Sequence, residues 1–169
     1  MAEPGSRERL QPSLLDRLTD QAPETRRESL DQQTLGLAQL RQAVLRDLAW
    51  LLNTTNLAAT EPLEPASRVA RSVLNYGIPG FAGLVGADGR TGALEAALRE
   101  AILAYEPRIR AETLKVRTRP SAADAPVPAL VFEIAGELWA QPVPQQLFLE
   151  TAIELETRLA SVTEARMRA

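Results

Sequence analysis

The sequence predicts an α+β fold in which three main helices pack on one face of a small three-stranded antiparallel sheet. Apolar residues recur at three- and four-residue steps over 36–53 and 92–105, and the period changes to two after Pro107. With 45% apolar residues in a 169-residue chain, there is material for one good core rather than two. Residues 1–35 read as a flexible N-terminal segment with a short amphipathic helix, 36–159 as the folded domain, and 160–169 as a C-terminal tail.

Met1 to Gln11 is polar and carries Gly and Pro, so it reads as a disordered lead-in. Leu14, Leu15 and Leu18 then share one helical face, with Asp16 and Arg17 opposite. A polar connector follows from Thr19 to Thr34. An apolar anchor on a polar leash is either a strap across its own domain or a docking peptide for another subunit.

The strongest helix runs from Gly36 to Asn53, with Leu37, Leu40, Val44, Leu45, Leu48, Leu51 and Leu52 on its apolar side. Arg41, Gln42, Arg46 and Asp47 take the other face, and Trp50 reads as a packing residue at the helix edge. Asn53-Thr54-Thr55-Asn56 ends it with residues that prefer caps and turns. A second helix is expected from Pro62–Pro65 through Val69 to Leu74, stopped by Asn75-Tyr76-Gly77-Ile78-Pro79-Gly80. Glycines between Gly80 and Gly92 read as a surface loop, since the lysine-serine ending of a phosphate-binding loop is missing.

The third helix spans Thr91 or Gly92 to Tyr105, where Pro107 stops it. Leu114, Val116 and Thr118 then alternate with Lys115, Arg117 and Arg119. Pro120 to Pro128 reads as a hairpin loop. Leu130, Phe132 and Ile134 define a second strand, ended near Gly136, and Leu147 to Leu155 a third. Glu150, Glu154 and Glu156 on strand three are expected to share the outer face with the cations of strand one.

Composition excludes several chemistries. There is no cysteine and no histidine, which removes disulfides, thiolate chemistry, histidine metal ligands and Ser-His-Asp catalysis. A net charge of −3 argues against a broad nucleic-acid footprint. Neither a secretion signal nor a bilayer-spanning stretch is visible, and no compact acidic loop suggests a metal or cofactor. Glu133 with Glu137, or Glu150 with Glu154, has the spacing of a glycosidase pair, but all four fall at polar strand positions.

Attention therefore falls on the corner Glu106-Pro107-Arg108, where a proline fixes the turn between an acid and a guanidinium. Such a corner either pairs its charges locally or holds them for another surface.

Four ordered stretches resemble a known family: Ser13-Leu14-Leu15-Asp16-Arg17-Leu18, Leu45 to Thr54, Ser72 to Pro79, and Glu106-Pro107-Arg108-Ile109. Together they resemble the TssE family of type VI secretion baseplate subunits, within the wider group of contractile-phage baseplate wedge proteins, some labelled lysozyme-like. The likeness covers about Pro12 to Leu159 and departs at the proline-rich 61–65. It implies a non-enzymatic, cofactor-free subunit, cytoplasmic and assembled at the inner face of the bacterial inner membrane. Glu106, Pro107 and Arg108 would contact the wedge bundle of TssF and TssG. The subunit would link it to the sheath proteins TssB and TssC and help initiate the sheath, with TssK and the spike as indirect partners. A lysozyme-like hydrolase or a regulatory adaptor is the alternative.

Overall fold

A computed structural model describes residues 13–19, 24, 36–80, 91–119, 129–139, 144–157 and 159–165. The connectors and loops expected over 1–11, 20–34, 81–90 and 120–128 lie outside the described residues, Glu24 apart. Four α-helices and four strands are described: α1 (Leu14–Leu18), α2 (Leu37–Leu52), α3 (Ser67–Ala70), α4 (Thr91–Tyr105), β1 (Lys115–Arg119), β2 (Ala129–Leu138), β3 (Gln145–Glu154) and β4 (Ala160–Glu164).

The strands form one antiparallel sheet in the order β1-β2-β3-β4. The sheet thus has four strands rather than three, and the fourth comes from the stretch read as a tail. Its sequence, Ala-Ser-Val-Thr-Glu, is too short and too polar for the alternation to stand out. What places it is pairing with β3 (Ile153 opposite Ala160, Thr151 opposite Val162) and packing of α2 beneath it.

The core lies between the sheet's inner face and the helices. Leu40, Val44, Leu48, Leu51 and Leu52 of α2 meet Leu94, Leu98 and Ile102 of α4 and Phe132, Ile134, Leu147, Leu149 and Ile153 of the sheet, all buried. Each fully buried side chain of this size contributes about 1.5–3 kcal/mol. The helical and two-residue periods of the sequence therefore meet in one apolar layer, as expected.

Two expectations change. The second helix is a broken run: a 3-10 turn at Glu64–Ala66, the four-residue α3, and another 3-10 turn at Val73–Asn75. Pro65 and the serines at 67 and 72 favour turn starts over a continuous ladder, and Ser72 caps the last turn by accepting from the Leu74 N–H at 3.2 Å. β2 also runs through Gly136 instead of stopping there. A Cβ at Gly136 would sit 3.0 Å from the Ile109 Cγ2, so the glycine admits the chain leaving the corner.

On the outer face, β2 separates the cations of β1 from β3, so the cross-strand charge comes from β2. Arg119 pairs with Glu133 at 2.9 Å. Glu150 lies directly opposite Glu133 on β3, and Glu156 falls beyond the strand.

Candidate docking site at the Glu106-Pro107-Arg108 corner

The corner begins where α4 ends. The Glu106 N–H makes the last helical bond, to the Ile102 carbonyl at 2.8 Å, and the Ile109 N–H donates back to the Glu106 carbonyl at 3.2 Å, closing a turn around Pro107. The chain is then stitched to the end of β2. The Trp139 N–H donates to the Arg108 carbonyl at 2.7 Å and the Arg110 N–H to the Glu137 carbonyl at 2.9 Å. Helix, turn and sheet end thereby fix the backbone of all three residues.

Their side chains are not equivalent. Glu106 is buried at 2% exposure, Pro107 is exposed, and the Arg108 side chain is 22% exposed. Arg108 Nε donates to Glu106 Oε1 at 2.6 Å, its Nη2 to Glu106 Oε2, and its own backbone N–H to Glu106 Oε1 at 3.1 Å. The same Nη2 donates to Asp47 Oδ2 of α2 at 2.6 Å. Burial works against the charged guanidinium, but the Glu106 and Asp47 carboxylates outweigh it and hold Arg108 more firmly protonated than a free arginine. Glu106 therefore acts on Arg108, fixing its plane, rather than reaching outward.

Sequence reasoning placed Arg46 and Asp47 on the polar side of α2 and gave them no role. In the fold they extend the corner into a chain of charges. Arg46 Nε donates to Asp47 Oδ1 at 2.9 Å, and Arg46 Nη1 to Asp16 Oδ1 of α1 at 2.5 Å. Ser13 completes the far end, its hydroxyl donating to Asp16 Oδ2 at 2.6 Å. The Arg46 hydrogen bond is the main cause holding the Asp16 carboxyl below its usual range. The one available signal was the ordered recurrence of Asp16, Arg46-Asp47 and Glu106-Arg108 in the stretches that carry the resemblance.

Two tyrosines buttress the corner. Tyr76 and Tyr105 pack edge to face at 5.1 Å between ring centres; Tyr105 donates to the Ser72 carbonyl at 3.0 Å and Tyr76 to the Asp47 carbonyl at 3.4 Å. Burial, reinforced by the Asp47 and Glu106 charges, raises the Tyr76 pKa. The preceding turn depends on Gly77, whose φ of 121° suits glycine and where an added Cβ would collide with the Thr54 carbonyl.

The glutamates weighed for hydrolysis lie elsewhere. Glu133 is paired with Arg119, and Glu137 accepts from Gln146 Nε2 at 2.7 Å. Glu133 and Glu150 line a half-open trough on the sheet's outer face with Lys115, Arg117 and Arg119, and both glutamates remain solvent-exposed rather than desolvated. Among the described residues no group of three or more carboxylates could hold a metal ion. No described helix is long and apolar enough to cross a membrane.

The profile of the baseplate wedge protein gp25 family matches residues 38–143, well over half of the chain and including α2, α4, the corner and β2. That match defines a baseplate wedge component. The chain belongs to the baseplate wedge protein gp25 family, as a TssE/gp25-like member. No curated protein matches it. A solved structure described as a proposed tail lysozyme from Geobacter sulfurreducens is 16% identical, with a TM-score of 0.45, over 80% of this chain and 100% of that one. At that distance the likeness bears on neither fold nor activity.

Proposed function

We propose that this chain is a non-enzymatic structural subunit of a type VI secretion baseplate, cytoplasmic and assembled at the inner membrane, joining the wedge to the contractile sheath. The corner carries the reading. A buried acid and a guanidinium held by two carboxylates are an expensive way to make a turn, because desolvating charges costs several kcal/mol per ion. Such an arrangement is retained where geometry matters. It presents Pro107 and the exposed part of Arg108 on a fixed backbone, and these two residues touch the TssF–TssG bundle while Glu106 positions them.

The sheath side falls to the sheet edge. On β1 the outward Thr118 N–H is already taken by Glu95 Oε1 at 2.6 Å, and α4 packs along the strand. On β4 the Asn53 side chain clamps Ala160, accepting from its N–H at 2.9 Å and donating to its carbonyl at 2.8 Å. Beyond that clamp, the outward backbone of Val162 and Glu164 meets no partner among the described residues. A strand from TssB or TssC adds there. TssK and the spike are reached through the wedge.

The test is complementation. In a strain lacking the gene, a Pro107→Trp chain accumulates to normal levels but recovers no TssF or TssG on pull-down and forms no sheaths. Wild-type sheath assembly by that variant would overturn the reading, as would peptidoglycan cleavage by the purified protein that a Glu133→Gln substitution abolishes.

A further inference from the structure

The two edges of the sheet are finished differently. β1 and β4 each pair on one side only, and each is five residues long. Neighbouring strands alternate in direction, so β4 runs opposite to β1. A second copy set beside β4 in the same orientation would offer its own β1 as an antiparallel neighbour. A contact of that kind joins two different surfaces and does not close on itself, so repeated addition builds a filament. The charges favour it over pairing of like edges. On the outer face β1 carries the exposed Lys115, Arg117 and Arg119, which two β1 strands would set against each other, whereas β4 carries Ser161 and Thr163 there, with Glu150 one strand further in.

α4 closes the β1 side. Glu95 Oε1 accepts from both the Thr118 N–H and the Thr118 hydroxyl, each at 2.6 Å. One helical turn on, Arg99 Nε donates to the Leu114 carbonyl at 3.4 Å, a long bond. Spaced four apart, Glu95 and Arg99 could pair with each other, yet each turns to the strand. The Thr118 hydroxyl and N–H together hold the Glu95 carboxyl below its usual range. That carboxylate occupies the place where an incoming strand would put a carbonyl, so addition at β1 must first strip it away. At β4, past the Asn53 clamp on Ala160, the outward backbone of Val162 and Glu164 meets no partner among the described residues.

We infer that Glu95, assisted by Arg99, guards the β1 edge and keeps β1 of one copy from adding to the open β4 edge of another. One closed edge is enough to stop the chain from polymerising on itself, and it leaves β4 free for a different strand. The guard works in the isolated chain, whatever partner β4 takes.

Sedimentation equilibrium of the purified full-length chain tests it. Wild type and Glu95→Gln, whose amide oxygen still accepts from Thr118, keep a constant mass as concentration rises. Glu95→Ala climbs past the mass of a dimer and reaches no plateau. Adding Val162→Pro, which removes an outward N–H of β4 and spares its bonds to β3, returns Glu95→Ala to the wild-type mass. Unfolding cannot imitate that rescue, because a proline that weakens β4 would worsen aggregation of unfolded chain. In the rescued double variant the Thr118 amide exchanges with solvent faster than in wild type. A constant mass for Glu95→Ala, polymerisation of wild type, association that survives Val162→Pro, or an unchanged Thr118 amide overturns the inference. None of these outcomes involves a wedge or sheath protein, so the baseplate reading stands or falls separately.

Discussion

Thr151 is wholly buried on the inner face of β3, and its hydroxyl meets no hydrogen-bond partner among the described residues. An unsatisfied hydroxyl in an apolar layer is a liability of about 1 kcal/mol or more, and valine has nearly the same shape. Thr151→Val should therefore raise the urea midpoint without changing the slope; a lower midpoint would mean that the hydroxyl is satisfied after all. Glu106 is the opposite case. Removing it leaves Arg108 facing Asp47 alone beneath Pro107, so Glu106→Ala should cost about 3 kcal/mol, the low end for a broken buried pair because Arg108 retains some solvent. Arg108→Ala should cost a similar amount, since it strands Glu106. The sequence pointed to these two residues and left open whether they pair with each other or face another surface, and Asp47, 61 positions from Arg108, offered no local cue. Side-chain partners across that separation are set by how α2 packs against α4, which periodicity does not specify.

At the scale of elements, α2, α4 and the first three strands were legible because their apolar period is long enough to show. β4 was not, since only Ala160 and Val162 of its five residues are apolar and turned inward. Gly136 misled for a related reason: a glycine that admits a neighbouring backbone resembles a breaker until that neighbour, Ile109, is known. Asn53 carries two functions, ending α2 and clamping β4. Asn53→Ala should remove about 2–3 kcal/mol through three lost side-chain hydrogen bonds, two to Ala160 and one to the Ala49 carbonyl, and speed amide exchange over 160–164 before the rest of the sheet; uniform exchange would show that β4 needs no clamp. The docking of α1 has its own pH signature. A carboxylate depressed on folding contributes fully above its ordinary value, 3.8 for Asp16, and that contribution is lost as pH falls through the lower folded value. Amide resonances of 13–19 should stay constant from neutral pH to about 4 and shift only below 3.8; a transition near neutrality would implicate another anchor.

For the whole molecule, the fold acts as a mount. One apolar layer fixes two helices against a sheet, and among the polar residues outside it two features stand out: a charge network running from α1 to the corner, and a clamped edge at β4. Membership in a family of baseplate wedge proteins points to a structural role. The fold class was readable from the sequence apart from the fourth strand, and the candidate site half so, because the corner's residues are local while the charge network around them is assembled from α1, α2 and the end of α4. The account's central claim is that an internally braced corner meets the wedge through its exposed proline. Titration calorimetry of the purified chain into TssF–TssG complex, comparing wild type with Pro107→Trp at equal thermal stability, measures this most directly. The account predicts micromolar or tighter binding for wild type and none detectable for the variant; equal heats from the two proteins would contradict it.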